Sequence, residues 1–315
     1  MTQSADMRPA LAPDRALLGI FLMTVFALFG PVIDVFAKLA SETIPVGQAV
    51  AARFAVQSLL LLPVAAALGG LHRPGRAEVI RHFLRAALIL LATGCFFAAL
   101  AVMPMADAIA IFFVEPFILT LLGGVLLGEA VGWRRYLACA VGFGGALLII
   151  KPSFSDFGAV AFLPLGTAVC FAFYMILTRR MAVAMHPLTL QAYTAVAAMA
   201  LILPVLGYGN AGGLAPIDPV WPDLRSGLYL LGIGVAATVA HLFISFALKF
   251  APAATIAPLQ YIEIVSATLL GFWVFGDFPD LLTMLGIAII VGSGLFVYLR
   301  ERRLSRRARL PMPPP

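Results

Sequence analysis

Two glutamates lie deep inside apolar stretches of this chain, where an ionised side chain is costly. Glu115 follows Pro104 by eleven residues, and Glu263 follows Pro252 by the same interval. In helices that rise about 1.5 Å per residue, both would sit roughly 16 Å into an apolar layer about 30 Å thick. A charge there costs on the order of 2.5–3.5 kcal/mol, so each must face protein or water. They could bind a substrate ammonium or carry a coupling proton, or serve as structural hydrogen-bonding groups between two halves of the protein.

Glu263 has polar neighbours on its own helix. Gln260 and Tyr261 precede it by three and two residues. Residues at i and i+3 share a helix face, so Gln260 and Glu263 would point the same way, with Tyr261 to one side. These three side chains are predicted to belong to one binding site.

Three prolines interrupt apolar stretches near these acids: Pro31, Pro116 and Pro258. Proline removes a backbone donor and leaves a carbonyl without its helical partner. Within a membrane, such a carbonyl is tolerated where a cavity or water can satisfy it. Each proline therefore predicts either a broken helix beside a cavity or a simple packing kink.

Other polar residues inside apolar stretches are fewer. His241, with Ser245 four residues later on the same face, could shuttle protons or make a structural hydrogen bond. Asp34, Lys38 and Arg53 are predicted to lie toward the outer side. They would form an outer gate, or a charge cluster with Glu42 at the boundary.

Composition shows which solvent surrounds these residues. Of 315 residues, 62% are hydrophobic and 11% are charged, and the mean hydropathy is +1.03. A soluble domain has roughly a quarter of its residues charged, so lipid must surround most of this chain. Cys95, Cys139 and Cys170 lie in apolar runs without ligand spacing, which predicts neither disulfides, a metal site nor a cofactor.

Ten stretches are long enough to cross a bilayer as helices, since about 20 residues are required. The predicted fold is therefore an all-α integral membrane protein. The predicted spans are 16–38, 45–69, 82–103, 105–127, 133–150, 158–180, 187–207, 226–249, 252–275 and 280–299.

The basic residues predict the orientation, because cytoplasmic loops carry the excess of Lys and Arg. Three bases fall at one set of helix ends: Lys38, Lys151 and Arg225. Seventeen fall at the opposite set: Arg8, Arg15, Arg73, Arg76, Arg81, Arg85, Arg134, Arg135, Arg179, Arg180, Lys249 and the six arginines from Arg300 to Arg309. Both termini are predicted to be cytoplasmic, with the basic tail meeting anionic headgroups rather than nucleic acid.

The chain also contains an internal repeat. A shift of 148 residues aligns 104–150 with 252–298, and twelve of these 47 positions are identical. The matches include Pro104 with Pro252 and Glu115 with Glu263. Five predicted spans per half is an odd number, so the second half would enter from the opposite side, as a 5+5 inverted-topology repeat.

These features resemble the drug/metabolite transporter superfamily, and its EamA branch in particular. The residues that carry the resemblance are Pro104 with Gly128-Glu129, and Pro252 with Gly276-Asp277, where Asp replaces the usual Glu. The resemblance covers 16–299. It implies one five-helix repeat at 16–150 and a second at 158–299, with cytoplasmic tails at 1–15 and 300–315.

The resemblance also implies a function, namely transport of small metabolites through a central cavity, as in bacterial amino-acid exporters. Phe97, Phe112, Phe171 and Tyr174 lie in helices that the family places around that cavity. The implied partners are a small-molecule substrate and the lipid bilayer, and the implied location is a bacterial inner membrane. The monomer and the homodimer both remain open.

Several alternatives remain beside amino-acid export by alternating access. The chain could be an uptake carrier, or a proton-coupled exporter of another metabolite or drug. The sequence has no Gly-x-x-x-x-Gly-Lys phosphate loop, so a solute gradient or a proton would supply the energy. An intramembrane hydrolase using Ser293 and His241 is a remote alternative, because Val291 stands where the motif Gly-x-Ser-Gly needs glycine.

Overall fold

The computed structural model describes residues 13–127, 133–251 and 257–308, and every regular element in those ranges is a helix. The α-helices are α1 Pro13–Phe29, α2 Pro31–Ala40, α3 Val46–Ala67, α4 Arg76–Leu100, α5 Met105–Phe112, α6 Glu115–Leu127, α7 Trp133–Phe157, α8 Leu163–Ala182, α9 Pro187–Gly212, α10 Leu224–Phe250, α11 Ile262–Phe275 and α12 Leu281–Ala308. Two short 3₁₀ helices, Gly158–Phe162 and Ala257–Tyr261, precede α8 and α11.

Seven helical segments of the described residues are long and apolar enough to cross a membrane. Three shorter apolar helices accompany them: Tyr136–Ile149, Leu259–Phe275 and Leu281–Ser293. The all-helical membrane architecture is therefore confirmed, while the ten-span inverted arrangement and the position of the termini stay predictions.

Two of the predicted spans are broken rather than continuous. The first is divided at Gly30 into α1 and α2, and the fourth is divided at Phe113 and Val114 into α5 and α6. Pro31 and Pro116 lie in the first turn of the second piece, where the missing proline N–H would have no helical partner in any case. Pro258 lies in the 3₁₀ turn before α11.

Small residues allow the helices to pack closely. The most extensive helix–helix contacts join α7 with α12, α3 with α9, α4 with α8, and α1 with α10. Between α7 and α12, a Cβ on Gly286 would come within 2.4 Å of Ile149 Cγ1 and 2.8 Å of the Gly145 carbonyl oxygen. A side chain there would force these helices apart, as expected for membrane helices that associate through small residues.

Several helix ends differ from the sequence prediction. Helix α9 continues to Gly212 and α7 to Phe157, and α12 runs into the predicted tail as far as Ala308. Gly276 ends α11 in the left-handed conformation, with φ of +73°, which glycine adopts readily. Pro252, the Gly128-Glu129 pair and most of the two predicted tails lie outside the described residues.

Candidate functional site

The breaks in the helices place three acids in equivalent local positions. Asp34, Glu115 and Glu263 lie in the first turns of α2, α6 and α11. Helix N-termini carry partial positive charge, which favours anionic side chains. The elements meet in space, since α11 packs against α1, α2 and α5, and the 3₁₀ turn before it packs against α1 and α6. Broken helices at membrane depth are typical of substrate sites in transporters.

A cavity of about 80 Å³ lies beside two of these acids. This volume has room for several water molecules. Its charged lining residues are Asp34, Arg53 and Glu263. Its other polar lining side chains are Thr93, Thr167 and His241, and its aromatic lining residues are Phe26, Phe96, Phe97, Phe112 and Phe171. The cavity therefore combines an apolar wall with charges of both signs.

Glu263 is held at the break between α1 and α2. A Cβ built on Gly30 would lie 3.2 Å from Glu263 Oε1, so the carboxylate rests against the bare backbone of that glycine. Nearby, the Ser266 hydroxyl donates to the Leu28 carbonyl oxygen at 2.7 Å, which satisfies one acceptor at the end of α1. Glycine at position 30 thus leaves the space that the carboxylate occupies.

A buried polar network continues from the cavity into the helix bundle. Arg53 Nη2 lies 2.5 Å from His241 Nε2. Because guanidinium groups only donate, Nε2 accepts and the proton of this imidazole is on Nδ1. His241 Nδ1 in turn lies 3.2 Å from the Tyr174 hydroxyl. Gln191 donates to the His241 carbonyl oxygen at 3.0 Å and to the Ser245 hydroxyl at 2.6 Å.

Glu115 occupies a different setting from Glu263. It is completely buried and does not line the cavity. Within the described residues, neither of its carboxylate oxygens has a well-formed hydrogen bond, and neither does Gln260 Oε1. The Gln260 side chain interacts with the Glu115 carboxyl without meeting the geometry of a hydrogen bond. Tyr261 is buried too, with its ring 5.7 Å from that of Phe113.

The residues predicted to line the cavity fall into two groups in the structure. Glu263, His241, Phe97 and Phe112 line the cavity. Glu115, Gln260, Tyr261 and Tyr174 are buried behind its wall.

The predicted outer cluster of Asp34, Lys38 and Arg53 does not form. Lys38 Nζ instead pairs with Asp277 Oδ2 at 2.5 Å and lies over the Phe275 ring, whereas Asp34 and Arg53 line the cavity. The sequence placed Arg53 within a span but could not show that α3 turns it inward. An outer gate that uses Lys38 would therefore have Asp277 as its second residue, which the sequence analysis did not indicate.

Arg85, which the sequence analysis groups with the bases at the cytoplasmic helix ends, is not a surface residue. The side chain is completely buried within the bundle. It donates to Thr178 Oγ1 at 2.9 Å, to Tyr174 Oη at 2.6 Å and to Thr194 Oγ1. The only sequence signal was the presence of these isolated polar residues in otherwise apolar helices.

Metal binding has no structural support in the part of the chain that the structure describes. No group of three or more His, Cys, Asp or Glu side chains is placed there to hold a metal ion.

Comparison with known sequences decides the family. The profile of the EamA-like transporter family matches residues 17–151 and again residues 158–299. The chain belongs to the EamA-like transporter family. It is accordingly a multi-pass membrane transporter and not an enzyme, and its membership in the drug/metabolite transporter superfamily is confirmed.

Similar transporters carry different cargoes in different directions. The chain is 29% identical over 305 residues to a riboflavin transporter of Rhizobium johnstonii, covering 95% of this chain and 96% of that one. It is 25% identical to an S-adenosylmethionine uptake transporter of Rickettsia prowazekii, covering 86% and 88%. It is 29% identical to the pseudopaline exporter CntI of Pseudomonas aeruginosa, covering 87% and 93%.

A solved crystal structure shares the fold. It matches with a TM-score of 0.65 at 20% sequence identity, covering 92% of this chain and 98% of the other. At this identity the likeness concerns the fold alone.

Proposed function

We propose that this EamA-family transporter is a secondary-active carrier that exports amino acids or similar small metabolites by alternating access around the central cavity. The observation that carries the proposal is the cavity itself. The Glu263 carboxylate lies there at a helix break, beside aromatic walls that suit an apolar side chain. A cargo ammonium would pair with Glu263 in a water-poor setting, where charge-assisted hydrogen bonds are strong.

Alternating access is the mechanism that this architecture supports best. If the two halves are inverted as the repeat predicts, they can exchange conformations around the cavity and so expose one site to either side in turn. The chain sequence has no phosphate-binding loop for ATP. A gradient of the cargo or of protons is therefore the proposed energy source, and a bacterial inner membrane is the proposed location.

The relatives support small metabolites as cargo and keep one alternative direction open. Pseudopaline is exported, whereas S-adenosylmethionine, itself an amino-acid derivative, is taken up by its transporter. Uptake is therefore the second candidate for this chain.

The proposal is tested by counter-flow in proteoliposomes. Liposomes loaded with an unlabelled amino acid should accumulate the labelled one faster than unloaded liposomes, and the rate should saturate. Liposomes without protein provide the background. Flux that does not saturate, or that ignores internal substrate, would indicate a channel and contradict the carrier proposal.

Direction requires intact cells. Cells that express the chain and are preloaded with the substrate identified by counter-flow should lose it faster than cells carrying an empty vector. Faster accumulation from the medium without faster loss would favour uptake.

A further inference from the structure

Two arginines are buried in the apolar interior, and they differ in how their donors are satisfied. Arg53 in α3 has a relative exposure of 4%, and Arg85 in α4 has 0%. Charged side chains inside membrane helices normally pair with other charges or with polar groups, and often mark a substrate pathway. Each is therefore a candidate binding group, and the hydrogen bonds around them distinguish the two.

Every nitrogen of the Arg85 guanidinium donates a hydrogen bond to the protein. Its Nε donates to Thr178 and its Nη2 to Tyr174, while its Nη1 donates to Thr194 and toward the Leu190 carbonyl. The guanidinium also lies over the Tyr174 ring, 4.4 Å from the centroid. Arg85 does not line the cavity, so it joins α4 to α8 and α9.

Arg53 is only partly occupied. Its two terminal nitrogens donate to Thr93 and to His241, which are neutral acceptors. Among the described residues, Nε has no hydrogen-bond partner, and no carboxylate forms an ion pair with this guanidinium within 4 Å. Arg53 lines the cavity. Asp34 acts on the guanidinium electrostatically from beyond ion-pair distance. Thr93 and His241 therefore hold the guanidinium in place, and no carboxylate of the described residues contacts it directly.

The charged residues of the cavity are of both signs. Asp34 and Glu263 supply carboxylates, and Arg53 supplies the positive charge. A cargo with a single ammonium would use the acids and leave Arg53 unpaired. A cargo with both an ammonium and a carboxylate would satisfy both, because guanidinium and carboxylate match in geometry.

We infer that Arg53 is the residue that binds the carboxylate of the cargo, so that the cavity selects zwitterions over amines. This rests on the proposed function and names its substrate class. The ammonium faces Glu263 and Asp34, the apolar side chain lies among the phenylalanines, and Arg53 discriminates against an otherwise identical molecule that lacks the carboxylate.

The test compares L-leucine with two molecules that each lack one of its ionised groups. Isopentylamine lacks the carboxylate, and 4-methylpentanoate lacks the ammonium. Their apparent dissociation constants are measured by ligand-induced thermal stabilisation of the purified full chain in detergent. Wild type should bind leucine roughly tenfold or more tightly than isopentylamine, since a charge-assisted contact separates them. In Arg53→Gln the leucine affinity should fall to that of the amine, while the amine affinity changes little.

Two further variants separate binding from a structural role. Arg53→Lys keeps the charge but not the planar fork, so part of the leucine preference should survive. If Arg53→Gln does not fold, a weaker leucine preference in Arg53→Lys with unchanged amine binding supports the inference. Arg81→Lys, at an exposed arginine that does not line the cavity, is the control, and its leucine-to-amine ratio should equal that of wild type.

Several results would overturn the inference. Equal wild-type affinity for leucine and isopentylamine would do so, as would an unchanged ratio in Arg53→Gln. Wild type that binds none of the three ligands would also reject the zwitterion assignment. Saturable counter-flow of a different metabolite would then show that the carrier proposal itself stands.

Discussion

The two repeat-related glutamates both lie in the first turn of a helix, yet their surroundings differ. Glu263 lines the cavity and rests against Gly30. Glu115 is completely buried, and its oxygens have no well-formed hydrogen bond among the described residues. The two glutamates are equivalent in the sequence repeat, but of the two only Glu263 lines the cavity.

The residues one turn before each glutamate account for the difference. The 148-residue shift aligns Phe112 with Gln260, which stand three positions before Glu115 and Glu263. Phe112 lines the cavity that contains Glu263, whereas Gln260 offers an amide to Glu115. The protein supplies a polar neighbour to Glu115 and an apolar wall to Glu263. The proposed cargo-binding side is therefore the one formed by α2 and α11.

The largest expected effect is that of Glu263→Gln. The amide keeps the size of the side chain but removes the charge that would pair with the cargo, so counter-flow should fall about tenfold or more. Liposome flux, normalised to the amount of folded protein, measures this. A rate within twofold of wild type would show that Glu263 is not the binding acid.

Gly30→Ala should cause the next largest loss. The new Cβ would lie 3.2 Å from both Glu263 Oε1 and the Phe26 carbonyl oxygen, which would displace the carboxylate. We expect transport to fall several-fold.

Gly94→Ala in α4 is the control, because nothing lies within 4 Å of its Cβ. It should keep full transport and gain up to about 1 kcal/mol of stability, since alanine is the better helix former. Equal transport in the two variants would argue against a fitted carboxylate site at Gly30.

Glu115→Gln should leave transport nearly unchanged and should stabilise the fold slightly. No well-formed hydrogen bond is lost, and the new amide could donate to Gln260 Oε1, which has no such partner in the described part of the chain. The unfolding temperature should stay the same or rise, consistent with a gain of up to about 1 kcal/mol. Transport should remain within about twofold. A collapse of transport comparable to that of Glu263→Gln would remove the distinction between the two acids.

The smallest effect is expected at the Lys38–Asp277 pair. It connects α2, which carries Asp34, to the segment that follows α11. Both side chains are partly exposed, at 19% and 29%, so the pair should contribute only about 0.2–1 kcal/mol. Asp277→Asn should change the transport rate by less than about fivefold, and Lys38→Asp with Asp277→Lys should restore it. Failure of the reversed pair to restore the rate would argue against a gate held by these two charges.

The sequence predicted the parts of the site that depend on local rules. Pro31 and Pro116 marked two real helix breaks, and the 148-residue register identified both glutamates. The sequence could not show which face of each helix points toward the cavity. Arg85 lies near the start of α4, so the sequence groups it with the loop arginines. Its burial could not be predicted, because its acceptors Thr178 and Thr194 belong to other helices. The contrast between Glu115 and Glu263 likewise depends on packing across the two halves.

The most direct test of the account is equilibrium binding of the labelled cargo identified by counter-flow, measured on purified wild type, Glu263→Gln and Glu115→Gln. The account predicts that Glu263→Gln weakens binding about tenfold or more, as expected for a lost charge-assisted contact. It predicts that Glu115→Gln binds within about threefold of wild type, because no contact to the cargo is removed. Strong loss of binding in Glu115→Gln, with binding retained in Glu263→Gln, would contradict it.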